Sequence, residues 1–278
     1  MTTWSALHDE LARWSDAGRT AEIWWRDDDA AEETPALERL LMLQEKSGVP
    51  LALAVVPAKA ASGLARRLES CAGVSLLQHG YGHVNHALPG DKKAELGGER
   101  PAMVVLGELA TGAMAMEQVF ASSEFEGRRL PVLVPPWNRI ASGLVWALPE
   151  IGFSGLSTFG PLHKPGTRPF RIRGLRQVNT HVDLIDWKGN RGFVGEDFAL
   201  AALIDALAAA RTTSDTRIGT TTGTKEPDAT PIGVLSHHLA MDEGAWDFLR
   251  SLWGRMLGKA GLRMPAAQEF FASREARV

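Results

Sequence analysis

Cysteine is nearly absent from this chain of 278 residues, where Cys71 stands alone. A single thiol makes no internal disulfide and no thiolate zinc site, so any metal must be held by His, Asp or Glu. An excess of one charge is lacking too. Against 33 Asp and Glu stand 30 Lys and Arg, a net charge of −3 that leaves no broad cationic field for nucleic acid or an anionic membrane. No stretch reaches the ~18 uncharged apolar residues that a membrane span needs. The richest run, 198–210, contains Asp205 and reads as a packed helix. A signal peptide's unbroken apolar segment is missing from 1–14, where His8, Asp9, Glu10 and Arg13 intervene, so a cytoplasmic location is expected. No self-similar period is found, which excludes a solenoid.

What is present is ordinary globular material, 45% apolar and 23% charged, with ample core. Short apolar runs alternate with helical patterns. Glu22–Arg26 predicts a strand ending in Asp27-Asp28-Asp29. Thr34-Pro35 opens a helix to about Lys46, because Thr caps and Pro suits the first helical position, and Ser47-Gly48 ends it. Val49–Val56 is a continuous apolar run, the mark of a strand buried on both faces. Further strands are expected at 74–77, 130–134, 153–158, 177–185 and 232–235. Helices are expected from Pro57 to about Ser70 and at 101–122, 142–150, 196–211 and 243–260. About seven β-then-α steps predict an α/β protein, either a (β/α) barrel of parallel strands or a doubly wound sheet. Two stretches break the pattern: Leu88–Arg100, rich in Gly and charge, and Thr212–Pro231, which reads as a flexible loop. Alternation resumes after each, so a single domain is expected, with a core over about 20–265.

The 8 histidines are not scattered. His79, His83 and His86 share one loop, His181 precedes Asp183, and His237-His238 follow a strand. In a (β/α) barrel the carboxyl ends of the strands form one rim, where active-site residues gather. Asp27–Asp29, His79–His86, Pro135–Arg139, His181–Asp186 and His237-His238 all lie at or just past such ends. Three adjacent carboxylates repel unless a cation or an arginine neutralises them. Two loop imidazoles with one carboxylate give a His-His-Asp set with open positions, suited to Zn²⁺, Fe²⁺, Co²⁺ or Mn²⁺. Pro135-Pro136-Trp137 reads as a rigid aromatic wall, and one of His237-His238 as a general acid.

In chain order these segments resemble the polysaccharide deacetylases, the NodB-homology domains of carbohydrate esterase family four. Arg26-Asp27-Asp28-Asp29-Ala30 is similar to that family's T-F-D-D-G, and His79-Gly80-Tyr81-Gly82-His83 to H-[ST]-x-x-H. Val134-Pro135-Pro136-Trp137 matches R-x-P-[YFW] without the arginine. Asp183-Leu184-Ile185-Asp186-Trp187 matches D-x-x-D-W, and Leu235-Ser236-His237 matches L-x-H. The resemblance implies a distorted (β/α) barrel of about seven parallel strands. It also implies a divalent metal, Zn²⁺ foremost with Co²⁺, Ni²⁺, Mn²⁺ or Fe²⁺ as alternatives, held by Asp29, His79 and His83. It makes Asp28 the general base, His237 the general acid and the Trp137 N–H an oxyanion donor. Tyr81, Trp187 and His86 would line a sugar-sized cleft. Asp27-Asp28 is an alternative register for the acidic pair. With Val134 in the arginine position, Arg26, or less favourably Arg139, would supply the guanidinium. The implied reaction removes acetyl or a similar acyl group from an N-acylated sugar or other small amide, and the partner is that substrate rather than nucleic acid or membrane. Two alternatives stand beside it: a non-catalytic descendant that binds metal or glycan, and a His-His-Asp iron oxygenase.

Overall fold

A computed structural model describes residues 2–162, 172–215 and 231–271. Most of the expected flexible loop, and His163, lie outside them. Helix α1 (Trp4–Asp16) precedes the first strand, β1 (Ala21–Ala30). Then follow α2 (Pro35–Ser47), β2 (Leu51–Val55), α3 (Ser62–Leu68), β3 (Val74–His79), α4 (Ala102–Val119) and β4 (Arg129–Val134). Next come α5 (Ser142–Val145), β5 (Gly155–Leu156), β6 (Arg176–Gln177), β7 (Thr180–Asp183) and α6 (Glu196–Asp215). Strand β8 (Ile232–Ser236), α7 (Glu243–Met256), β9 (Leu262–Arg263) and α8 (Ala267–Phe271) complete the order.

The local signals act as expected where they are strong. Thr34 Oγ1 accepts from the Leu37 N–H at 3.0 Å, Pro35 takes the first helical position, and Gly48 ends α2 in the left-handed region at φ 66°. Strands β2 and β3 are buried along their whole length, because helices cover one face and the barrel interior the other.

All strand pairs are parallel, in the order β6-β5-β4-β3-β2-β1-β8-β7, with β9 added beside the start of β1. The sheet curls until its ends approach. Thr180 N–H donates to Thr158 O at 3.0 Å, and Gly160 N–H to Thr180 O at 2.7 Å, joining the β5 exit to β7. The result is the expected distorted (β/α) barrel, with nine strands among the described residues, three of them only two residues long. The predicted run 177–185 divides into β6 and β7, and the pair at 262–263 is too short to register as a strand pattern.

Strand β1 sets what lies where. Trp25 packs outward into the large layer under the helices, whereas Trp24 points into the barrel among Ala52, Ala54, Leu77, Val132 and Val134. Phe270 and Phe271 of α8 close that interior from below, with Trp24 against Phe270 at a ring distance of 5.1 Å. Alternation then places Arg26 and Asp28 above Trp24 on the inward face. The apolar plug occupies the bottom of the barrel, and the polar residues of β1 reach its carboxyl-end mouth.

Candidate metal centre and active site

At the end of β1 the alternation fails. The pairing of β1 with β2 shifts register between Asp27 and Ala30, and Asp29 has φ 76°. Such a bulge re-aims one side chain. Asp27 faces the outer layer, where Ser236 Oγ donates to its Oδ2 at 2.5 Å and His238 Nδ1 lies 2.5 Å from its Oδ1. Trp25 Nε1 donates to the same serine at 2.9 Å. Asp28 and Asp29, by contrast, both serve the mouth.

Asp29 Oδ1 lies 3.1 Å from His79 Nε2 and 3.1 Å from His83 Nε2. Only these three residues, among the described ones, form a set whose ligand atoms converge tightly enough for a metal. The donor chemistry fits a cation. His79 Nδ1 is 3.0 Å from the Val134 carbonyl, which can only accept, so Nδ1 carries hydrogen. The neutral ring then directs the Nε2 lone pair at a carboxylate oxygen, and the two acceptors need positive charge between them. Orienting an imidazole ligand through its far nitrogen is a common second interaction at metal sites. A proton on Nε2 meets the same need. Burial opposes ionisation of Asp29, yet hydrogen bonds from His79 and His83 hold its carboxyl far below the usual range. Burial lowers the pKa of His79, but the charges of Asp28 and Asp29 more than offset that and raise it overall.

Beside this set stands an ion pair with almost no exposure, Arg26 at 0% and Asp28 at 1%. Arg26 Nη2 donates to Asp28 Oδ2 at 2.9 Å, while Nε approaches Oδ1 to 2.9 Å without hydrogen-bond direction. The same guanidinium crosses the mouth to Asn138 Oδ1 and Ser157 Oγ, each at 2.7 Å. Val134, where the resemblance expects arginine, packs into the barrel interior. Arg139 is exposed and donates to the Lys93 carbonyl at 2.6 Å, away from Asp28. Of the two candidate guanidinium groups, Arg26 is the one beside Asp28.

His237 sits opposite. Its Nε2 is 4.0 Å from Asp28 Oδ2 and its Nδ1 is 3.9 Å from Asp183 Oδ1, with no hydrogen bond made by Nδ1. Burial pushes the Asp183 carboxyl up, against the pull of His237. Asp183 also accepts from Trp187 Nε1 at 2.9 Å, and the Trp187 ring stands edge-on to His237 at 4.8 Å. On the far wall Trp137 packs on His83 at 4.4 Å. Trp137 and Asn138 have φ 54° and 56°, left-handed values that bulky residues rarely adopt and that cluster at functional sites. A cleft of about 550 Å³ opens beside Asn138, lined also by Thr158, Gln177 and Leu156 among others.

Two expected cleft residues are not joined to this cluster. Tyr81 is anchored through its main chain, and His86 lies within the electrostatic reach of Glu108 on α4. Asp186 caps its own turn, accepting from the Lys188 and Gly189 N–H groups. His181 accepts from the Gly233 N–H at 3.1 Å, and burial lowers its pKa to about 4. In the unfolded chain this imidazole protonates near 6.5, so between there and 4 the unfolded state binds more protons. Stability contributed by neutral His181 is therefore full above about 6.5 and fades as pH falls through 4. Urea titrations at pH 7.0, 5.5 and 4.5 should show wild type losing stability relative to His181→Gln; parallel curves would contradict the assignment. Asp27, His238 and Asn138 fall in the strand-end segments singled out in sequence, whereas Ser157 and Glu95 had no signal there beyond residue type.

The sequence matches no family model and no curated protein. Solved structures do match. A protein from Mycobacterium smegmatis, assigned as a polysaccharide deacetylase, superposes over 91% of this chain and 90% of its own, with a TM-score of 0.57 and 16% identity. The fold is that of the polysaccharide deacetylases. The Bc1960 peptidoglycan N-acetylglucosamine deacetylase shares the deacetylase fold over 91% of this chain and 88% of its own, at a TM-score of 0.50 and 16% identity. So does a mutant of BA3943, a pseudoenzyme of carbohydrate esterase family 4 with restored activity, at 0.50 and 13%, over 91% and 68%. At these identities the comparisons establish architecture. The deacetylase fold puts the β1, β3 and β8 ends of this chain on one rim, where the charged residues described above meet. No helix among the described residues is long and apolar enough to cross a membrane.

Proposed function

We propose that this protein is a divergent, single-domain polysaccharide-deacetylase-type amidohydrolase that removes acetyl or a similar acyl group from an N-acylated sugar or other small amide. The observation that carries the reading is the meeting of Asp29 with two imidazole Nε2 atoms at 3.1 Å, directly beside the buried Asp28–Arg26 pair and His237. Asp29, His79 and His83 would hold a divalent cation, Zn²⁺ foremost, with Co²⁺, Ni²⁺, Mn²⁺ or Fe²⁺ as alternatives. Bound there, such a cation supplies Lewis acidity, polarising an acyl carbonyl and acidifying a water.

The remaining work falls to this chain's side chains. Asp28 takes the proton from the attacking water, with its carboxylate oriented and its charge balanced by Arg26. His237 delivers a proton to the departing nitrogen and is positioned by Asp183. The Trp137 N–H is the donor for the carbonyl oxygen as it gains charge, a contribution that can reach ~10²–10³ in rate. Trp137 and Trp187 form opposite walls for a sugar ring, with Tyr81 and His86 farther out on the same loop as the metal ligands.

A non-catalytic descendant is the second reading, prompted by Val134 in the arginine position; the Arg26–Asp28 pair speaks against it. The parallel sheet is unlike the all-β jelly roll on which an iron oxygenase would be built. Acetate release from a panel of N-acetylated sugars and small amides tests all three. Release should disappear on chelation and return with added Zn²⁺. Firm metal binding with no release across the panel would favour the non-catalytic reading.

A further inference from the structure

The Gly- and charge-rich stretch after the histidine loop has a place that the proposed chemistry does not use. Residues 93–96 run as a strap between the two loops that wall the site. Towards the histidine loop, Ala94 O accepts from the His86 N–H at 2.9 Å and Ala94 N–H donates to Asn85 Oδ1 at 3.0 Å. Towards the Trp137 loop, Leu96 O accepts from the Ala141 N–H at 2.8 Å. Between these ties Glu95, 1% exposed, turns its carboxylate under the metal loop. Oε1 accepts from the Gly82 and Val84 N–H groups at 2.8 and 3.3 Å, and Oε2 from the Tyr81 N–H at 3.1 Å.

Successive backbone N–H groups aimed at one point form an anion-binding nest. Here the chain fills the nest itself. Charge-assisted bonds to backbone N–H groups are about twice as strong as neutral ones, which offsets the burial of a carboxylate. The same carboxylate accounts for Gly80, which has φ 57°. A Cβ there would lie 2.0 Å from Glu95 Oε2 and 2.6 Å from the Pro136 ring. No side chain fits where the resembling motif has Ser or Thr.

We propose that Glu95 is a positioning residue for the metal centre. It fixes the main chain of 80–84 so that His79 and His83 present their Nε2 atoms to Asp29. The inference rests on the metal-centre reading above, and the test separates the two. Full-length Glu95→Ala and Glu95→Gln would be compared with wild type by amide hydrogen exchange without metal and by Co²⁺ titration followed in the visible spectrum. In Glu95→Ala, exchange at Tyr81, Gly82 and Val84 should speed by an order of magnitude or more. Co²⁺ affinity should fall by roughly 10–100-fold, the usual loss when an outer partner is removed, with a changed ligand-field band. Glu95→Gln keeps one acceptor oxygen and the volume, so it should fall between and carries the test should Glu95→Ala not fold. Unchanged exchange at the three amides, or Co²⁺ affinity and spectrum equal to wild type in both variants, would overturn the proposal. A wild-type chain that took up no Co²⁺ would remove the metal-centre reading itself, and the metal role of Glu95 with it.

Discussion

Asp28→Asn is expected to bind Zn²⁺ within about twofold of wild type and to turn over roughly 10²–10⁴-fold more slowly, the range for loss of a positioned general base. The split follows from geometry. Asp28 points at Arg26 and His237, whereas the converging ligand atoms belong to Asp29, His79 and His83. An amide preserves the shape but removes the basic site. It also leaves the buried Arg26 without a counter-charge, so some loss of stability accompanies the kinetic effect. The guanidinium keeps its bonds to Ser157 and Asn138, which limits that loss. Calorimetric Zn²⁺ titration and single-turnover rates on folded variant decide the matter. Turnover within tenfold of wild type would exclude Asp28 as the base.

Arg26→Ala should be the most damaging change outside the ligands. It breaks a fully buried ion pair and strands Asp28, for which about 3–5 kcal/mol of lost stability is typical. Turnover should fall by at least ~10²-fold, in kcat rather than KM, because Arg26 faces Asp28 and the strand ends rather than the open cleft. Arg26→Lys keeps the charge but not the planar fork that spans Asp28, Asn138 and Ser157, so it should recover stability better than rate. Added guanidinium ion should partly restore Arg26→Ala, which a general folding defect would not allow. Undiminished turnover in Arg26→Ala would remove this residue from the reaction.

Features set by local chemistry were legible in the sequence. The Thr34-Pro35 start and Gly48 stop of α2 depend on a hydroxyl, a ring and a missing Cβ. The buried runs of β2, β3 and β8 depend on composition alone. Strand-end placement also assigns the acidic run and the histidine loop to one rim. What escaped depends on contacts between distant segments. The bulge that swings Asp29 away from Asp27's face is a register shift against β2, invisible in a run of three identical residues. Arg26 was a candidate by type, but its reach to Asn138 and Ser157 requires the sheet to curl. Helix 142–150 shrank to Ser142–Val145, with a separate 3₁₀ turn at Pro149–Ile151, because Pro149 interrupts the chain. Glu95 lay in a stretch that composition marked as irregular, and only the nest it fills gives it meaning.

Diffraction from Zn²⁺-soaked crystals, with anomalous data at the zinc edge, addresses the metal-ligand set itself. One strong peak is expected, about 2.0–2.2 Å from Asp29 Oδ1 and the Nε2 atoms of His79 and His83, with Asp28 turned away. Zinc bound only elsewhere, or absent while these three side chains keep their places, would contradict the account.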